Sequence, residues 1–254
     1  MPSPPHLGVY ITDASVSMSI TFHSITNGSP TVRTVLPVKM GRPFTATDEE
    51  ILNAAGRVIA RRGPEGFSIA EVAADVGLSR AAIILRFKST QALKVTLLKR
   101  LVAKFAAAMQ TLPQTPSGDN VLRLGAFLGG YIRSRESLAS FFSAYNTNLK
   151  DPELLELERQ RGRLLRDAIA RVMPEVAIDH EAAVNAFAAH LSGTIMAWLG
   201  AEDEDSRRFL VMRTRDWLVL AGISCSEDVI SELLQEPRDS QLKQASVRLP
   251  RRKK

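Results

Sequence analysis

The 254-residue chain has one cysteine, Cys225, and four scattered histidines, His6, His23, His180 and His190. A single thiol cannot close an internal disulfide, so the chain is not a disulfide-stapled scaffold. Cysteine and histidine do not fall at zinc-ligand spacing, and no metal is expected. Cys225 itself reads as a small apolar residue near a helix end, with nothing nearby to make it a redox switch. No apolar run approaches the roughly 20 residues that cross a bilayer, so no membrane partner is expected. The first forty residues lack a basic segment followed by an apolar one, which argues against a secretory signal and, with the lone thiol, for a cytoplasmic protein. Also missing are a nucleophile elbow, a phosphate-cradling glycine loop and a His-Glu metal pair, so neither an enzyme nor a cofactor is expected.

Positive charge is present but unevenly placed. Residues 41–104 carry eleven basic and six acidic residues, and residues 238–254 carry seven and one, whereas residues 105–237 carry thirteen and nineteen. A basic head and tail on an acidic body suggest a nucleic-acid surface attached to a body with other duties. For the C-terminal RRKK, a solubilising tail is slightly preferred over an accessory phosphate contact.

The densest signal is IAEVAADVGLSRAAIILRF, from Ile69 to Phe87. Ile69, Val72, Ala73 and Val76 recur at helical spacing, Gly77 permits the left-handed turn that ends a helix, and Ser79 is a good N-cap for the next. The second helix sets Ile83 and Phe87 on one face and leaves Arg80, Ala81, Ile84 and Leu85 largely elsewhere. Two short helices about so tight a turn make a helix-turn-helix, whose second helix enters the major groove.

Residues 1–40, rich in Ser, Thr, Pro and Gly, read as a disordered or loosely ordered extension. Met40 followed by GRPFTATDEE has the look of a natural start. Thr47 and Glu50 match a capping box, and helices are expected at about Asp48–Arg62, Ile69–Val76, Arg80–Phe87 and Thr90–Met109. The last is long enough to join head to body as one rod. After the Pro- and Gly-containing break at 111–118, helices follow at about Asn120–Arg133, Glu136–Asn146, Pro152–Val172, Glu181–Leu199, Asp205–Gly222 and Ser226–Leu234. The expected fold is all-α. A helix-turn-helix head over 41–90 precedes a helical body over 91–237, with a basic disordered tail over 238–254.

Residues 41–101 resemble the N-terminal DNA-binding domain of the TetR/AcrR family of transcriptional repressors. The resemblance is carried by ILNAAGRVIARRGPEGFSIAEVAADVGLSRAAIILRFKSTQALKVTLL, with its Ile-Leu-x-Ala-Ala start, Gly-Phe turn and Val-Gly-x-Ser core. It implies a homodimer whose two recognition helices read a palindromic operator, and a small-molecule effector that enters the body and releases the DNA. Ser79 at a helix N-terminus is a candidate phosphate contact, as are Thr47 and Ser68. Arg80 suits a phosphate or a guanine edge, Ala81 allows close approach, and Arg42 lies in an arm able to enter the minor groove. The chain departs from the pattern where the family usually has Tyr at Ile84, His or Tyr at Leu85 and Arg86, and Lys-Glu at Thr90-Gln91. Ile84 and Leu85 suit thymine methyl groups, while Arg86, Lys88 or Lys94 are placed to supply the missing phosphate contacts. These departures also sustain a second reading, a ligand-binding or protein-interaction module with a degenerate DNA head.

In the body, Phe127, Tyr131, Phe142, Tyr145, Asn146, Phe187, His190 and Trp198 are the candidate effector contacts, set against ordinary core roles. Ala182, Ala186, Ala189 and Gly193 line one helix face with small residues, as a close helix–helix dimer contact requires.

Overall fold

Side-chain oxygens mark where the helices begin. The computed structural model describes residues 46–132, 134–202 and 205–235. By contact the chain divides into Met1–Ala46 and Thr47–Lys254, and the helices below belong to the second unit. The expected extension, the Met40 start, Arg42 and the basic tail lie outside the described residues. Among those described there are ten helices and no strand: α1 Asp48–Arg62, α2 Ile69–Val76, α3 Arg80–Phe87, α4 Thr90–Met109, α5 Gly118–Tyr131, α6 Arg135–Asn148, α7 Pro152–Val172, α8 His180–Trp198, α9 Ser206–Leu220 and α10 Glu227–Gln235. Thr47, Ser68, Ser79, Ser89, Ser117 and Ser134 cap α1 to α6, and Asp151, Asp179 and Asp205 cap α7 to α9. Each accepts a hydrogen bond from an otherwise orphaned N–H. The four head helices and α7 occupy the spans their periodicity predicts. Two shifted starts follow from the caps: α5 begins at Gly118 because Ser117 captures the Asn120 N–H, and α8 at His180 because Asp179 captures that of Ala182.

In the head, Ile51, Ala54, Ala55 and Val58 of α1, Val72 of α2 and Ile83 of α3 are all fully buried. Asp75 of α2 ties this packing to α1. Its Oδ2 accepts from Arg57 Nε at 2.9 Å, with a further bond from Arg57 Nη2, and its Oδ1 accepts from Arg61 Nη2 at 2.6 Å.

Helix α4 is shared by head and body. Leu93 is buried near its start, and Val95, Leu98 and Val102 pack against Leu154 of α7 further along. At 1.5 Å per residue its twenty residues reach about 30 Å. The body core centres on α5, whose broadest packing is against α9. Two glycines one turn apart allow that approach. A Cβ on Gly125 would lie 2.5 Å from Thr214 Oγ1, and one on Gly129 would lie 2.6 Å from Arg207 Cα. Ser206 closes the junction, its hydroxyl donating to the Gly129 carbonyl at 2.9 Å. No described helix is long and apolar enough to cross a membrane.

Candidate nucleic-acid interface and effector site

The turn between α2 and α3 is built by backbone bonds. Gly77 takes φ 67° and ψ 26°, and the Leu78 N–H reaches back to the Ala73 carbonyl at 2.9 Å, closing α2 in a Schellman arrangement. Ser79 Oγ then accepts from the Ala82 N–H at 3.1 Å, so α3 starts at the next residue, Arg80. A serine hydroxyl is donor and acceptor at once, and the cap leaves its proton for an outside acceptor.

Burial divides α3 cleanly. Ile83 and Phe87 are buried, while Arg80, Ala81, Ile84, Leu85 and Arg86 face outward. Leu85 is 75% exposed, leaving most of its apolar surface open to a partner. Arg86 lies 3.6 Å from Asp48 in the first turn of α1. Lys88 caps α3 with φ 71° and ψ −49°, the only described non-glycine residue with positive φ. The Ser89 N–H bonds the Phe87 carbonyl at 2.8 Å across it, forming a γ-turn, and Lys88 Nζ donates to the Leu85 carbonyl at 3.2 Å. Lys94 lies over the Phe67 ring at 5.4 Å.

Thr47 is fully engaged in its capping box. It accepts from the Glu50 N–H at 3.2 Å, and its hydroxyl and N–H both donate to Glu50 Oε2, at 2.9 and 2.7 Å. The Thr47 backbone bond, then its hydroxyl, holds the Glu50 carboxyl below the usual range. Ser68 Oγ accepts from the Glu71 N–H at 3.2 Å.

Of the body residues, Phe127, Phe187 and Trp198 share one buried core, with Phe142 packed against it. Tyr131 packs against Phe127 at 6.0 Å and Phe105 at 6.5 Å. On α6, Phe141 lies 5.4 Å from Phe142 and stacks on Tyr145 at 6.2 Å, while Asn146 is exposed. Phe187 and His190 lie between α8 and α9, against Trp217 at 4.7 and 6.1 Å. His190 Nε2 donates to the Arg213 carbonyl at 3.1 Å, and burial lowers its pKa. Buried Trp198 is covered by the Arg135 guanidinium at 4.7 Å. Cys225 is half-buried, and burial, then the nearby Asp119 and Glu227, pushes its thiol pKa up, away from nucleophilic chemistry. No group of three or more potential metal ligands occurs among the described residues.

Residues 51–95 match the profile of the family described as bacterial regulatory proteins, tetR family. These residues form a TetR-family helix-turn-helix domain. The match starts within α1 and ends in the second turn of α4, so it spans the buried head residues, the Gly77 turn and the exposed face of α3. Solved structures share the fold beyond this TetR-family domain. A transcriptional regulator from Rhodococcus sp. Rha1 superposes with a TM-score of 0.59 at 19% identity, covering 71% of this chain and 100% of that one. A putative transcriptional regulator from Saccharomonospora viridis, in complex with choline, gives 0.56 at 19% identity over 68% and 95%. FadR from Bacillus subtilis, in complex with stearoyl-CoA, gives 0.53 at 16% identity over 70% and 100%. No curated protein sequence matches the chain.

Polar contacts tying the TetR-family domain to the body escaped the sequence reading. Arg100 of α4 donates to the Glu49 carbonyl at 3.2 Å and also to Asn53 Oδ1. Gln91 donates to Asp151 at 2.7 Å, and Lys99 pairs with Glu153 at 3.1 Å. On α7, Arg161 lies 2.5 Å from buried Glu158. The last pair did leave a trace, because Leu154, Glu158, Arg161, Leu165, Ala168 and Val172 fall on one helical seam that is otherwise apolar.

Proposed function

We propose that the protein is a ligand-responsive transcriptional repressor, working in the cytoplasm as a homodimer on a palindromic operator and released by a small molecule. Residues 41–90 act as the DNA-binding head and 91–237 as the effector and dimer body. The observation that carries this reading is the outward face of α3, where Arg80, Ala81, Ile84 and Leu85 stand exposed beside the Ser79 cap. Arg80 and the Ser79 hydroxyl address phosphate or a guanine edge, and Ile84 and Leu85 address thymine methyl groups. Arg86 and Lys88 add positive charge at the far end of the helix, Ser68 and Thr47 flank the interface, and Arg42 precedes it.

Support for the dimer comes from α8 and α9. Ala182, Ala186, Ala189 and Gly193 are exposed along α8, with Met196 at 51%, and Val219 and Leu220 of α9 are 64% and 87% exposed. Small residues let helices approach closely, and the large apolar ones supply area to bury. Support for coupling comes from the bonds of α4 to α1 and α7, joined by the Ser140 hydroxyl of α6 donating to the Ala60 carbonyl of α1 at 3.3 Å. An effector among the α5–α7 aromatics shifts α4, and the recognition helices lose the groove repeat of about 34 Å. The reciprocal coupling this needs is roughly 1–3 kcal/mol.

Selection of bound duplex from a random pool tests the reading. An enriched palindrome is expected. Recovery of no sequence preference contradicts it and favours an interaction module with a degenerate head.

A further inference from the structure

The seam of α7 places a carboxylate and a guanidinium where the helix otherwise buries apolar side chains. The Glu158 side chain is only 2% exposed. Its Oε1 accepts from Asn148 Nδ2 of α6 at 2.8 Å. Its Oε2 lies 2.5 Å from Arg161 Nη2, a close charge contact, yet it has no aligned hydrogen-bond donor. The Arg161 guanidinium in turn lies 4.5 Å over the Phe141 ring and 5.6 Å over that of Tyr145. Tyr131 is within electrostatic range of it. Aromatic faces around one positive group, above a fixed buried carboxylate, are the makings of a cation site. In the free protein its occupant is the chain's own arginine.

The two ions differ in their freedom to leave. Glu158 has a short stem, is pinned by Asn148 and has no route to water. Arg161 has a long stem and a side chain 21% exposed, and Phe141 beside it is 39% exposed, so both reach solvent here. Burial lowers the Arg161 pKa, the mark of a charge that is paying for desolvation. Rotation into water restores its hydration. An incoming anion, by contrast, would lie beside a carboxylate that cannot withdraw, and two buried negative charges repel strongly.

We infer that the crevice between α6 and α7 binds an organic cation, which takes the place of Arg161 over Phe141 and Tyr145 and pairs with Glu158. This rests on the reading of the body as an effector domain and adds the effector's charge and the residue that counters it.

The test is calorimetric titration of the full chain with tetraphenylphosphonium, its near-isosteric anion tetraphenylborate and neutral triphenylphosphine oxide. The phosphonium is expected to bind at least roughly tenfold more tightly than the other two. Glu158→Gln keeps the side-chain length and the acceptor for Asn148, and it should abolish the preference. Arg161→Met vacates the cage and should tighten phosphonium binding. Equal or tighter binding of the borate or the oxide overturns the inference, as does a cation preference that survives Glu158→Gln. Binding of none of the three by a helical, folded protein overturns this inference and leaves the effector-domain reading standing, since the body can take an effector of another class.

Discussion

At the scale of single residues, Lys88 combines strain with position. A φ of 71° on a side chain other than glycine costs on the order of 1 kcal/mol or more, and it is held where α3 turns into α4. Lys88→Gly should therefore leave thermal stability unchanged or higher while weakening DNA binding and lowering its salt slope by about one. A stable variant with an unaltered slope would remove Lys88 from the interface. Asp75 is the opposite case, a residue serving the fold alone. Arg61, then Arg57, holds its carboxyl below the usual range, so its contribution is present above the unfolded pKa and is lost as pH falls through the folded one. Its arginines are about half exposed, so Asp75→Asn should cost only about 1 kcal/mol at neutral pH by chemical denaturation, with the difference vanishing in strong acid. Burial places His190 below its ordinary value of about 6.5. Its neutral ring favours the fold above that value, and this contribution is lost as pH falls through the depressed pKa. NMR titration of the ring should give a midpoint below about 6.5.

Among the elements, α5 and α9 offer the sharpest contrast. Gly129→Ala sets a Cβ against the backbone of α9, whereas Gly130→Ala meets nothing within 4 Å. The first should destabilise by about 1–3 kcal/mol and the second should be neutral or stabilising by up to about 1 kcal/mol, read from denaturation midpoints. Equal effects would show that the two helices do not approach at Gly129. This crossing could not be read from the sequence, because a glycine inside a helical period looks the same whether its missing Cβ faces solvent or a neighbour. The helices themselves were legible. Thr47, Ser68, Ser79 and the later caps each precede an apolar period, and local chemistry alone then fixes the start. The outward face of α3 was legible for the same reason, since the burial of Ile83 and Phe87 determines where Arg80 and Leu85 point. In the body, periodicity gave faces without partners. Phe187 and His190 joined Trp217 rather than Tyr131 because helix pairing is decided by packing at long range. Glu158 and Arg161 showed only as charges on the apolar seam of α7, and nothing local to that helix names Asn148, Phe141 and Tyr145 of α6 as their neighbours.

For the whole molecule, the head and the body share α4, and bonds from α1 to both α4 and α6 close the circuit. These contacts leave no flexible linker between the α6–α7 junction and α3, and they are the path the proposed coupling would use. All of this depends on α3 presenting its exposed face to DNA. The most direct measurement is the affinity of Leu85→Glu for the selected duplex, by fluorescence anisotropy, alongside its thermal stability. Leu85 is 75% exposed, so the fold should be untouched. A negative charge against the groove should weaken binding by on the order of a hundredfold. Unchanged affinity in the folded variant would contradict the account.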